Sequence, residues 1–192
     1  MILLVLLAVF SSAHSGAVPR DGNPEPATNK DASKLFINPQ KFYLLYRSEK
    51  SDTKLGGESK CFQMRYYEVG QGKEEYWTQL LFRDNSTGQM DVYSIVIVLE
   101  KSNESLEYYD RLVAQNHIAT SYEAYDLLFT DYKTCFTLRR ISDDLYQVWM
   151  IDRQNPTAIN PGCESAYQGS VNEFGCAVPK PKYEIFDADI CH

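Results

Sequence analysis

Residues 122–150 constrain the fold more than any other part of the sequence. They contain three short segments rich in aromatic and aliphatic side chains, which the polar residues at 131–133 and 140–144 separate. Apolar segments of this length joined by polar turns are typical of consecutive antiparallel strands. The stretch therefore predicts three strands that pair in chain order.

The same pattern runs back toward the N-terminus. The turn at residues 84–88, rich in polar residues and closed by a glycine, fits a four- or five-residue hairpin loop. Further strands are predicted at residues 41–47, 60–69, 75–83, 90–99 and 106–113.

Together the segments make about eight strands at intervals of roughly 8–15 residues. Helices appear only at 163–174 and, as a short turn, at 31–36, so the chain lacks the alternating helices that a parallel sheet requires. The pattern predicts a mainly β antiparallel fold, either a sandwich or a barrel. An eight-stranded up-and-down barrel can hold one small ligand.

The first residues predict secretion. An apolar run at residues 2–10 precedes small residues, so that 1–15 has the pattern of a signal peptide. The run is shorter than the about 20 residues that span a bilayer, and no later stretch is more suitable. The proline-rich residues 16–30 are predicted to form a flexible leader, and 31–192 a single domain.

Secretion changes how the five cysteines are interpreted. In an oxidising compartment disulfides are more common than thiolate metal sites, and the chain has no Cys-x-x-Cys pair of the kind that binds zinc. Because the count is odd, one thiol is left over. Two sequons, at Asn85 and Asn103, fall at predicted turns and are candidate glycosylation sites.

Charge and motifs exclude several functions. The net charge of −7 argues against nucleic acid, which requires a basic surface. Beyond the predicted signal peptide only His117 and His192 remain, and no nucleophile elbow, zinc-protease motif or phosphate loop is present. The sequence thus predicts no enzyme, no cofactor and no metal site. The many aromatic residues fit either an ordinary β-rich composition or a pocket lined with rings.

Four features resemble the histamine-binding group of tick salivary lipocalins. They are the segment Tyr-Asp-Leu-Leu-Phe-Thr-Asp-Tyr-Lys-Thr-Cys at 125–135, the strand with Val148 and Trp149, Cys163 heading a helix that contains Tyr167, and a terminal cysteine, Cys191. The resemblance covers most of the mature chain. It implies an eight-stranded lipocalin-type barrel with a short N-terminal helix and a C-terminal helix packed outside.

The resemblance also implies a disulfide pattern. In that family the strand cysteine pairs with the helix cysteine, and the early-strand cysteine pairs with the C-terminal one. Carried over, the pairs are Cys135–Cys163 and Cys61–Cys191. Cys176 is then left over, as a free thiol or as a link between two chains.

The family sequesters small host mediators, biogenic amines above all. Its amine binders carry Asp directly after the strand cysteine and Glu in a Glu-Leu-Trp or Glu-Leu-Tyr motif of the next strand. Here those acids are replaced by Phe136 and Gln147, whereas the ring is kept as Trp149. A buried ammonium without an ionic partner costs several kcal/mol, and a cation–π contact returns about 0.5–2 kcal/mol. The departure makes a hydrophobic or anionic lipid, such as a fatty acid or an eicosanoid, the alternative ligand.

Alternate residues of a barrel strand face inward. Gln147 and Trp149 therefore share a face, as do Phe136 and Leu138. For an anionic ligand, Arg65, Arg83 and Arg139 would be available at the mouth. The predicted ligand-binding residues are Phe136, Gln147, Trp149, Phe129, Tyr93, Trp77, Tyr67 and, as a residual acid, Asp52.

A third possibility is a host-protein-binding modulator that uses the barrel only as a scaffold. An interior filled by large side chains would favour that function, and a cavity of several hundred cubic ångströms would favour a small ligand. In either case the chain is predicted to be a secreted monomer that binds neither nucleic acid nor membrane.

Overall fold

Nine antiparallel strands form one continuous sheet in the computed structural model, which describes residues 27–116, 122–151, 159–169, 178–189 and 191. Among the described residues, one α-helix and two 3₁₀ helices, at Ala27–Lys30 and Ala32–Phe36, accompany the sheet. In chain order the elements with labels are β1 Gln40–Arg47, β2 Lys60–Val69, β3 Glu75–Arg83, β4 Met90–Glu100, β5 Arg111–Asn116, β6 Tyr122–Thr130, β7 Cys135–Arg140, β8 Tyr146–Met150, α1 Pro161–Gln168 and β9 Tyr183–Glu184.

The sheet closes into a barrel. Each strand from β2 to β7 pairs with the next, and β1 pairs with both β2 and β8. The two residues of β9 add to β1 at Tyr46 and Arg47. The predicted eight-stranded antiparallel barrel is confirmed, with β9 as an additional short strand.

Burial along β3 shows how the sequence specifies the two faces of the wall. Tyr76, Thr78, Leu80 and Phe82 are buried, and the residues between them are partly exposed. This strict alternation places one set of side chains inside the barrel and leaves the other outside.

The 3₁₀ helix Ala32–Phe36 closes one end of the barrel. Asp31 caps this helix by accepting a hydrogen bond from the backbone of Ser33. The Phe36 ring stacks on Tyr76 with ring centroids 4.7 Å apart and meets Phe42 edge to face. This end is therefore filled with side chains, and ligand access is left to the opposite end.

Helix α1 packs on the outside of the wall, as the resemblance implies. Its residues Cys163 and Tyr167 are buried against Tyr46 and Val148 of the barrel strands. Asn160 caps the helix by accepting a hydrogen bond from the backbone of Gly162. Helix α1 lies against β6, β7 and β8, and these strands separate it from the inner core.

Both predicted disulfides are confirmed, Cys61–Cys191 and Cys135–Cys163, with sequence separations of 130 and 28 residues. In the chain-entropy account, loops of this length stabilise the fold by about 5 and about 3.5 kcal/mol. Cys176, the remaining cysteine, lies outside the described residues.

Some predicted boundaries were wrong. The strand predicted at 106–113 begins only at Arg111, because the preceding residues form a loop in which Asp110 accepts hydrogen bonds from the backbone and the hydroxyl of Ser102. The helix predicted to begin at Cys163 begins at Pro161, a residue suited to the first turn because its missing N–H needs no partner there. Helix α1 also ends early, at Gln168, and the remainder of the predicted helix lies mainly beyond the described residues.

The N-terminal predictions fall mostly on residues that the structure does not describe. The predicted signal peptide and most of the leader belong to residues 1–26, whereas the last four leader residues form the 3₁₀ helix Ala27–Lys30. Within the described ranges, no helix is long and apolar enough to cross a membrane. Both sequon residues, Asn85 and Asn103, are exposed.

Candidate ligand-binding site

A cavity of about 450 Å³ lies inside the barrel. Alternate residues of β4, from Asp91 through Tyr93 and Ile95 to Ile97, follow its wall from the β3–β4 turn inward. The volume lies within the range of small-molecule sites, about 300–1,000 Å³. The interior is therefore open, as a ligand binder requires.

The inner end of the cavity is apolar. Trp149 lies there with its ring parallel to that of Phe136, the centroids 6.1 Å apart, and Phe136 meets Phe42 edge to face at 5.1 Å. Phe136 is fully buried and supports Trp149 from behind without lining the cavity. The side chains that form this inner end are Met64, Leu80, Ile97, Leu112, Leu138 and Trp149.

One polar side chain, Gln147, lies beside Trp149. Its Oε1 accepts a hydrogen bond of 3.0 Å from Trp149 Nε1, and only 1% of its surface is exposed. Its Nε2 donates to no other group in the described part of the chain. Gln147 therefore carries a hydrogen-bond donor on the cavity wall.

The mouth of the cavity is acidic. Three carboxylates line it, Asp84, Asp91 and Glu123, against a single ammonium group, Lys54. The mouth thus favours a cation over an anion.

Two of the three carboxylates are already engaged. Glu123 lies 2.8 Å from Lys54 Nζ and accepts a hydrogen bond of 2.9 Å from the Ser142 hydroxyl. Asp84 accepts hydrogen bonds from Ser86 and Thr87, and those from the Ser86 hydroxyl and the Thr87 backbone lower its pKa to about 2.

Asp91 differs from both. It is partly exposed on the inward face of β4, and its side-chain carboxylate forms no hydrogen bond or ion pair with any residue that the structure describes. Asp91 is therefore the mouth carboxylate that remains available to a ligand.

The loop joining β1 to β2, residues 48–59, covers part of the mouth and is held by two buried arginines. Arg140 donates to both carboxylate oxygens of Asp52, at 2.8 and 2.9 Å, and also chelates Asp143. Burial lowers the pKa of Arg140, but the hydrogen bonds to Asp143 and Asp52 raise it above its usual value. Arg47 donates to the carbonyl oxygens of Glu49, Lys50 and Gly57. The carboxylate of Asp52 is thus paired with Arg140, where it holds this loop in place, and Asp52 does not line the cavity.

The structure brings three of the predicted site residues to the cavity: Tyr93, Gln147 and Trp149. Besides Phe136, three further predicted rings lie elsewhere. Phe129 packs outside the barrel against Gly162 of α1. Trp77 alternates with the inward-facing Tyr76 and Thr78, and Tyr67 is 38% exposed on β2.

The carboxylates of the mouth were missed by the sequence reasoning. The signal that could have found them is strand alternation, since Asp91 lies two residues from Tyr93 and Glu123 two residues from Tyr125, which also lines the cavity. None of Arg65, Arg83 and Arg139 lines the cavity, and the lining cation Lys54 is paired with Glu123. These three arginines therefore do not form the basic mouth that would suit an anionic lipid.

Solved structures with a similar fold include amine binders. The serotonin complex of AM182 has a TM-score of 0.54 and 13% identity, covering 83% of this chain and 92% of that chain. The tryptamine complex of the amine-binding protein of Rhodnius prolixus has a TM-score of 0.54 and 11% identity, covering 85% and 89%. At such identities the likeness shows the fold, which is that of the lipocalins.

The sequence itself gives the family. No curated protein matches the chain significantly. The model of the tick histamine binding protein family matches residues 21–192, which is most of the chain and the whole of the barrel. The chain therefore belongs to the tick histamine-binding protein family, and its barrel is a small-ligand-binding one of the lipocalin type.

Proposed function

We propose that this protein is secreted in saliva and sequesters a small biogenic amine, held with its apolar body in the barrel and its ammonium group at the mouth. The observation that carries the proposal is Asp91, an unengaged carboxylate at the entrance of a cavity whose inner end is largely apolar. Family membership supports the ligand class, as do the amine complexes of proteins that share the fold.

The charges around the cavity decide how an amine would be oriented. The acids that the resemblance places deep in the site are absent, since Phe136 and Gln147 occupy those positions. An ammonium group buried there would lack an ionic partner, which costs several kcal/mol. At the mouth, Asp91 can pair with the ammonium, and the neighbouring ring of Tyr93 can add a cation–π contact of about 0.5–2 kcal/mol.

The opposite side of the mouth reinforces this orientation. Arg47 and Arg140 are both buried there beneath the β1–β2 loop. Of the two, Arg140 is paired bidentately with Asp52, whereas Arg47 is held by backbone carbonyls. A cation is therefore favoured on the β4 side of the mouth, near Asp91, and disfavoured near the arginines.

The extracellular setting rests on two features. Residues 1–15 have the pattern of a signal peptide. The two disulfides fit an oxidising compartment.

The test is calorimetric titration of the secreted protein with serotonin, tryptamine, histamine and a fatty acid. We expect at least one amine to bind with 1:1 stoichiometry, and its affinity to fall with rising salt because the mouth is partly exposed. Binding of the fatty acid without any amine would replace the proposal by a lipid-binding function. If none of these ligands binds, a host protein becomes the favoured partner.

A further inference from the structure

The inner end of the cavity presents one unsatisfied hydrogen-bond donor. Gln147 lines the cavity, and only 1% of its surface is exposed to solvent. Its Nε2 has no hydrogen-bond partner among the described residues. Buried polar groups in folded proteins are paired in the large majority of cases, because an unpaired one loses the hydrogen bonds that water would have made. This exception lies where a ligand would be bound.

The neighbouring Trp149 fixes which end of the amide faces the cavity. An indole N–H is only a donor, so it requires the carbonyl oxygen of Gln147 and would repel the NH₂ group. The indole ring itself is held by its parallel stacking on Phe136. The Gln147 carbonyl is thereby turned to Trp149, at 3.0 Å from Nε1, and the NH₂ group is left to the cavity.

The surrounding wall does not supply the missing acceptor. Leu138 pairs directly with Gln147 across the β7–β8 ladder, and the buried Arg47 pairs with it across the β1–β8 ladder. A guanidinium group has only donors, so Arg47 cannot accept from the Gln147 NH₂ group, and Arg47 itself donates to carbonyl oxygens of the β1–β2 loop. The NH₂ group of Gln147 is thus left without an acceptor in a buried site, where a single hydrogen bond discriminates strongly between ligands.

We infer that Gln147 is a specificity-determining residue that recognises a hydrogen-bond acceptor on the ligand. The preferred ligand is then an aryl alkylamine with an oxygen substituent, hydroxyl or carbonyl, on the part of its ring that reaches the inner end. The ammonium end of this description rests on the proposed function, whereas the acceptor end rests on Gln147 alone. The Glu of the family's amine-binding motif would present a carboxylate at this position, and a carboxylate only accepts hydrogen bonds. The NH₂ group of Gln147 donates one instead, so the inner end favours an acceptor on the ligand where the Glu would favour a donor.

Serotonin and tryptamine provide a matched pair of probes, since they differ only in the ring hydroxyl. We expect the wild-type protein to bind serotonin more tightly than tryptamine by on the order of 10-fold, the usual worth of satisfying one buried donor. In Gln147→Met, which keeps the length of the side chain but removes the donor, that preference should disappear, mainly through weaker serotonin binding. Gln79→Met is the control, because Gln79 lies on β3 between the inward-facing Thr78 and Leu80 and should leave the preference unchanged.

Equal affinity of the wild-type protein for the two amines would overturn the inference while leaving amine binding intact. A preference for serotonin that survives in Gln147→Met would overturn it as well. If neither amine binds, the proposed function fails, and the neutral pair 5-hydroxyindole and indole decides the inference. Tighter binding of 5-hydroxyindole to the wild-type protein supports it, and equal binding overturns it, even if Gln147→Met does not fold.

Discussion

Replacing Asp91 by asparagine removes one negative charge from the mouth of the cavity and keeps the shape of the side chain. Two unit charges about 4 Å apart attract each other by about 4 kcal/mol near a protein surface and by about 1 kcal/mol in bulk water. Asp91 is partly exposed on β4, so the contribution lies toward the lower value. We expect the amine affinity of Asp91→Asn to fall by about 1–2 kcal/mol, or roughly 5- to 30-fold in Kd.

Calorimetric titration with the tightest-binding amine, at low and at physiological salt, measures this effect. The wild-type affinity should fall as the ionic strength rises, and that of Asp91→Asn should fall less, because one of the attracting charges is gone. Glu68→Gln is the matched control, since Glu68 is an exposed carboxylate on β2 that does not line the cavity. It should leave both the affinity and its salt dependence near the wild-type values.

An unchanged affinity in Asp91→Asn would refute the assignment of the ammonium to this carboxylate. Should Glu123→Gln cause the loss instead, the ammonium would compete with Lys54 for Glu123, whose present distance from the Lys54 Nζ is 2.8 Å. The position of the amine would then shift across the mouth toward β6.

Three further predictions concern the framework around the site. Asp52→Asn removes the fully buried one of the two carboxylates that pair with Arg140 and should lower the free energy of unfolding by about 3 kcal/mol in urea titrations; a loss below about 1 kcal/mol would show that Asp143 alone holds Arg140 in place. Phe136→Asp places a carboxylate in a fully buried site behind Trp149 and should destabilise the fold by at least about 3 kcal/mol in the same assay, so a near-neutral result would contradict the observed packing. The hydrogen bonds from Arg140 lower the pKa of Asp143, which means that the stabilisation from this pair is present above about pH 4 and is lost as the pH falls through the folded-state pKa; Asp143→Asn should flatten the acid side of the stability profile, and an unchanged profile would rule the pair out as its cause.

Local sequence determined most of the barrel wall. The bounds of β2 and β3 coincide with the predicted strands, because their alternation of apolar and polar residues can be satisfied only by a wall with one buried face. The pairing of the four disulfide cysteines followed from the resemblance rather than from the residues themselves, and the structure confirms it. Boundaries set by contacts outside the segment were less predictable, as the late start of β5 after the Ser102–Asp110 loop illustrates.

The direction of individual side chains was harder to predict. Strand alternation gives two faces but does not say which one is inside, and a register shift can exchange them. Such a shift lies between Tyr66 and Glu68 of β2, next to the exposed Tyr67. In β3 the packing of Tyr76 on the 3₁₀ helix at the closed end determines which face of the strand is inside. Trp77, the next residue along the strand, therefore faces outward.

The chemistry of the site was decided by the tertiary structure. Asp52 and Asp91 are both acids near predicted turns, yet the first is neutralised by Arg140, 88 residues away, and the second meets no cation in the described chain. Likewise, the sequence contains Gln147 and Trp149, but the stacking of Trp149 on Phe136 determines which end of the amide is left for a ligand. Strand formation depends on the pattern of neighbouring residues, and so the sequence alone determined the strands, whereas the choice of a barrel over a sandwich followed from the family resemblance. The availability of a charge or a hydrogen-bond donor depends on partners distant in the chain, which only the closure of the barrel brings together.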